Sequence, residues 1–128
     1  MVQKEVGDRL CAPPGTRGAG VPSVAVALAG NAKVVAAVPP TVFHPRPHVD
    51  SVLVEVRRHT PTVDSDPARI MAIAKRAFGQ RRKMLRRSLG DIVTADDFAR
   101  AGVEPTARPE ELDLVAWDRL AMVVGAAG

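Results

Sequence analysis

Seven cationic side chains, Lys75, Arg76, Arg81, Arg82, Lys83, Arg86 and Arg87, fall within thirteen residues, with Gln80 among them. No Asp or Glu occurs between Asp66 and Asp91. Charge packed this way repels itself and stabilises no fold on its own. What it does is attract polyanions, of which RNA or DNA phosphate is the usual one. Guanidinium groups suit that role because each presents a planar fork of donors to two phosphate oxygens. A merely solvated basic face is the competing reading. It is disfavoured because no acid is interleaved to neutralise the run.

On a single helix turning 100° per residue, Ile70, Met71, Ile73, Ala74, Ala77, Phe78, Met84, Leu85 and Leu89 share one face. Lys75, Arg76, Arg82, Lys83, Arg86 and Arg87 then span about 140° of the opposite face by the same geometry. Arg81 is the exception and lands amid the apolar residues. Either the helix breaks near Gly79 or Arg81 is held in a special contact. Glycine weakens helix interiors, so the break is the reading adopted.

Other chemistry-bearing residues form weaker patterns. His44, His48, Asp50 and Ser51 hold the types of a hydrolytic triad, but neighbours on an extended segment point apart. His44, His48 and Cys11 have prolines between the histidines and no clustered fourth ligand, so no metal site is expected. Gly15, Gly18 and Gly20 are in the wrong order for a dinucleotide-binding turn, and no strand precedes them.

The elements that must position these residues divide into two kinds. Residues 3–12 read as a helix with Val6 and Leu10 a turn apart, and 13–22 as a Pro/Gly loop. The apolar stretch 23–30 fits strand or helix equally. Residues 33–38 read as a buried strand ended by Pro39-Pro40, and 41–50 as extended. Residues 51–57 alternate, with Val52, Val54 and Val56 on one face, as in a half-buried strand. From Asp66-Pro67, a cap followed by proline, the pattern is helical. Thr94 with Asp97 resembles a capping box, and Asp113 can cap a last helix carrying Leu114, Trp117, Leu120, Ala121 and Val124. Trp117 and Cys11 read as core.

The chain has 128 residues, a net charge of +4, 46% hydrophobic residues and 3% aromatic residues. That is one small domain or part of a larger protein. No run of eighteen apolar residues is present, which excludes a transmembrane helix. Met1-Val2-Gln3-Lys4-Glu5 lacks the basic-then-apolar order of a signal peptide. One cysteine rules out an internal disulfide framework and fits a reducing, cytoplasmic compartment. Two or three strands do not make a stable sheet alone, so an N-terminal portion is expected to be missing.

Four segments resemble one family. Met1–Val6 with Arg9-Leu10 is similar to the MxQKEVxxRL segment of small-subunit ribosomal RNA adenine dimethyltransferases. Phe43–Ser51 resembles their FxPxPxVDS motif, Ala77–Leu89 their AFxQRRKxLRxSL segment, and Arg108–Leu112 their RPEEL turn. The chain departs from the family's usual Tyr-Gly-Arg-Leu-Ser, with Ala19-Gly20-Val21-Pro22-Ser23 in that place. The resemblance implies an α/β remnant at 1–58, the incomplete end of a Rossmann-like methyltransferase domain. A linker at 59–66 and a small all-α, rRNA-binding domain at 67–128 would follow. It implies that the complete enzyme transfers methyl groups from S-adenosylmethionine to two adjacent adenines near the 3′ end of 16S rRNA. Phe43 would stack on the flipped target base. Lys75, Arg76, Gln80, Arg81, Arg82, Lys83, Arg86 and Arg87 would touch RNA. The cofactor site would lie upstream, so this chain alone is expected to bind no cofactor and to be inactive. Its partners would be the 30S subunit and a separate N-terminal half, with no membrane. A non-catalytic nucleic-acid-binding module or an incomplete gene product is the alternative.

Overall fold

The computed structural model describes residues 1–42, 50–60 and 63–127, with side chains as far as residue 124. Strands occupy the first part: β1 (Val2–Gln3), β2 (Gly30–Val38) and β3 (Ser51–Arg58). Two helices, α1 (Lys4–Cys11) and α2 (Val21–Ala29), lie between β1 and β2. After β3 come α3 (Pro67–Phe78), α4 (Leu85–Ser88), α5 (Ala95–Ala101) and α6 (Leu114–Ala127), with 3-10 turns at Pro40–Val42 and Pro109–Glu111. The fold is mixed α/β, with six helices.

The sheet is antiparallel, in the order β1-β3-β2. Its alternation follows the sequence pattern only over Val52–Val54, since Val56, expected on the buried face, is 50% exposed. Val52 and Val54 lie under α1, where Gly7 packs so closely that a Cβ added there would sit 2.3 Å from Val52 Cγ2. Leu53 and Arg57, on the opposite face, are exposed. The expectation that 33–38 is a buried strand does not hold: Val35 is 49% exposed and its neighbours Lys33 to Ala37 are exposed as well. An apolar run reads as buried when helices cover both sheet faces. Here β2 is an edge strand and, among the described residues, pairs with β3 alone.

The ambiguous stretch 23–30 resolves as helix. Pro22 occupies the first turn of α2, where its missing N–H costs nothing. The Ser23 hydroxyl accepts from Gly20 N–H (3.0 Å) and donates to Arg9 C=O (2.7 Å), which anchors α2 to α1. Val24 and Leu28 enter the main core together with Ile70, Ile73, Leu85, Leu89, Phe98, Trp117 and Leu120. The core therefore crosses the 59–66 segment and joins α2 to the later helices. Cys11 is only half-buried.

The helical starts follow their signals. The Asp66 carboxylate accepts from Ala68 N–H at 3.0 Å, with Pro67 at the first helical position. Thr94 and Asp97 form a reciprocal capping box at 3.1 and 3.0 Å. The Asp113 carboxylate accepts from Ala116 N–H at 2.9 Å at the start of α6.

Candidate nucleic-acid interface

The basic segment is a turn between two helices and not one helix face. α3 ends at Phe78 with Gly79 as its cap, and α4 begins at Leu85. Between them, Gln80 N–H donates to Ala77 C=O (3.1 Å) and Lys83 N–H to Gln80 C=O (2.9 Å). The far end of the turn is tied to a different part of the chain. Leu85 N–H donates to Ala107 C=O (2.8 Å) and Arg86 N–H to Pro105 C=O (2.9 Å). Apolar anchors fix both sides. Ala77 and Leu85 are fully buried, and the Phe78 ring lies 5.9 Å from the Trp117 ring. The flexible cationic side chains are thus carried on a backbone held by core packing and non-local hydrogen bonds.

Gln80 and all seven cations are exposed, but their electrostatic states differ. Arg76 is ion-paired with Asp91, and Arg81 lies 3.7 Å from the Glu110 carboxylate. Among the described residues, Lys75, Arg82, Lys83, Arg86 and Arg87 have no carboxylate within salt-bridge distance. The sequence reading placed all seven cations in one class; Asp91 and Glu110 divide them. Asp91 closes the acid-free run and was visible as the first acid after it. Glu110 lies 29 residues from Arg81, and no local pattern links the two.

Such an arrangement can hold several phosphates at once through free guanidinium and ammonium groups. The described residues carry no group of three or more metal-ligating side chains. Among the described residues, no helix is long and apolar enough to cross a membrane. Phe43 lies outside the described residues, as do His44 and His48.

The loop that carries Gly15, Gly18 and Gly20 does not have the strand-to-helix form of a dinucleotide-binding turn. The glycines of the 12–20 loop follow a helix, α1, and no strand feeds them. Gly15 has φ +91°, and a Cβ there would lie 3.2 Å from the backbone of Asp113. Its conformation serves close packing of the loop against the start of α6.

A family model described as ribosomal RNA adenine dimethylase matches residues 1–117. The ribosomal RNA small subunit methyltransferase A of Acidothermus cellulolyticus is 44% identical over 127 residues, covering 94% of this chain and 44% of the relative. That of Kineococcus radiotolerans is 46% identical over 127 residues, covering 94% of this chain and 42% of the relative. The chain thus spans less than half the length of these curated relatives. A dimethyladenosine transferase from Plasmodium falciparum superposes with a TM-score of 0.76 at 19% identity, covering 92% of this chain and 53% of that one. The 23S rRNA methyltransferase ErmE superposes with a TM-score of 0.63 at 19% identity, covering 96% of this chain and 52% of that one. These two likenesses concern the fold alone.

Proposed function

Since the chain belongs to the ribosomal RNA adenine dimethylase family, we propose that it is the RNA-docking part of an S-adenosylmethionine-dependent enzyme that dimethylates adenine N6 in 16S rRNA. The target would be two adjacent adenines near the 3′ end, presented on the 30S subunit in the cytoplasm. The observation that carries this reading is the group of five exposed cations, Lys75, Arg82, Lys83, Arg86 and Arg87, without a carboxylate partner among the described residues. A surface of unpaired cations is costly unless a polyanion covers it. The relatives' printed names point to ribosomal RNA as that polyanion.

The residues divide by role. Residues 1–58 are the end of a methyltransferase domain, 59–66 a linker, and 67–128 a helical rRNA-binding domain into whose core α2 inserts. Phe43 stacks on the flipped adenine. The free cations and Gln80 bind phosphate and ribose. Methyl transfer would also need the part of the relatives that this chain does not span. The protein's contribution to that chemistry is orientation of the adenine amine, for which docking must be rigid.

The test is filter binding of the chain to 30S subunits lacking the adenine methylation, across a salt series. Five neutralised phosphates give a log–log slope of about −3.5 to −4.5. Arg82→Glu/Arg86→Glu should flatten that slope and abolish saturable binding. A well-folded chain that does not bind, or binds without regard to salt, contradicts the proposal.

A further inference from the structure

Arg81 is the cation whose place on a helical projection is anomalous, and its surroundings differ from those of its neighbours. It lies 3.7 Å from Glu110, in the Pro109–Glu111 turn. It also borders a cleft of about 640 Å³ shared with Lys4, Glu5, Asp8, Arg9, Arg17 and Asp50. Glu110 is the carboxylate that lies within salt-bridge distance of Arg81 among the described residues. The cleft's other cations do not alter its pairing: Lys4 is taken by Asp8 at 2.8 Å. Arg9 and Arg17 add positive charge to the cleft. Arg76, at the opposite end of the basic turn, is paired with Asp91.

We infer that Arg81 and Glu110 are positioning residues for RNA docking and that Arg81 is not itself a phosphate ligand. The inference rests on the RNA-docking reading and refines it. The backbone of residues 79–84 is held at its two ends, by the Gly79 cap and by the Leu85 and Arg86 N–H bonds to Ala107 and Pro105. Its middle has only the short Lys83-to-Gln80 bond. An Arg81–Glu110 bridge pins that middle to the same 105–111 segment that receives Leu85 and Arg86. The bridge thus completes a frame from which Arg82, Lys83 and Arg86 project. An exposed ion pair of this type is worth up to about a five-fold change in an equilibrium, so the effect on docking is modest and the fold does not depend on it.

The signs separate this inference from simple charge counting. Salt-series binding to unmethylated 30S subunits is measured for Arg81→Gln, Arg82→Gln, Glu110→Gln and the exchange Arg81→Glu/Glu110→Arg. Circular dichroism melts confirm folding. Arg82→Gln, losing a phosphate ligand, flattens the log–log slope by about 0.7–0.9. Arg81→Gln leaves the slope unchanged and weakens binding about two- to five-fold. Glu110→Gln also weakens binding, although removing an acid from a phosphate-binding face strengthens it on charge alone. The exchange variant restores most of the affinity. The inference is overturned if Arg81→Gln flattens the slope as Arg82→Gln does, or if Glu110→Gln tightens binding. If Arg82→Gln leaves the slope unchanged, the RNA-docking reading fails and this inference fails with it.

Discussion

The carboxylate of Asp118, on α6, accepts the backbone N–H of Ser65 at 2.9 Å and that of Asp64 at 3.1 Å, and the Ser65 hydroxyl donates to the same group. Asp66, the next residue, caps α3. One carboxylate on the last helix therefore sets where the first helix of the basic region begins. Asp118 is almost fully buried. Burial alone pushes its carboxyl up, but the Ser65 hydroxyl and the Asp64 and Ser65 N–H groups outweigh this and hold it below the ordinary carboxylate value.

Asp118→Ala leaves two part-buried N–H donors without a partner and should destabilise the chain by about 1–3 kcal/mol at pH 7. The contribution has a defined pH sense. A carboxyl whose folded pKa is depressed stabilises fully above its unfolded value, near pH 4, and loses that effect as pH falls through the folded value. Denaturant melts of wild type and variant should differ at pH 7 and differ less at acid pH, below the unfolded value. Asp97, also held low, chiefly by the Thr94 N–H, is common to both proteins and drops out of the difference. An equal gap at both pH values contradicts the assignment.

Gly7→Ala tests how α1 sits on the sheet. Alanine favours a helix interior by up to about 1 kcal/mol, yet its Cβ would lie 2.3 Å from Val52 Cγ2 and 3.3 Å from Val54 Cγ2. Overpacking of that kind typically costs about 1–3 kcal/mol. Net destabilisation is the expected result of a thermal melt, and a rise in the midpoint contradicts the packing described.

S-Adenosylmethionine titrated into the chain by calorimetry should give no saturable heat at micromolar concentrations. Gly15 is packed against the Asp113 backbone, and no strand feeds the 12–20 loop. Saturable heat would place cofactor contacts within this chain.

Much of this architecture was legible where its causes are local. Asp66-Pro67, Thr94 with Asp97, and Asp113 each act within three residues, and each caps the helix its spacing indicated. The break at Gly79 was legible from the phase of Arg81. The segment 23–30 was not, because a short apolar run has no period to choose strand or helix; Pro22 and the Ser23–Arg9 bond decide it. The exposure of β2 depends on what covers a sheet face, which a strand's own residues do not encode. The pairings Arg81–Glu110 and Asp118–Ser65 span 29 and 53 residues. They arise from tertiary packing and leave no local trace. The family resemblance supplied the segments around Arg81 and Glu110 but not their pairing, and it reached neither Ser65 nor Asp118.

RNA is proposed to dock on the turn between α3 and α4. Amide hydrogen exchange of the chain, alone and saturated with unmethylated 30S subunits, tests it most directly. Slowed exchange is predicted at residues 80–88, with little change in β2 and β3. Binding that slows exchange elsewhere and leaves 80–88 unaltered would contradict the claim.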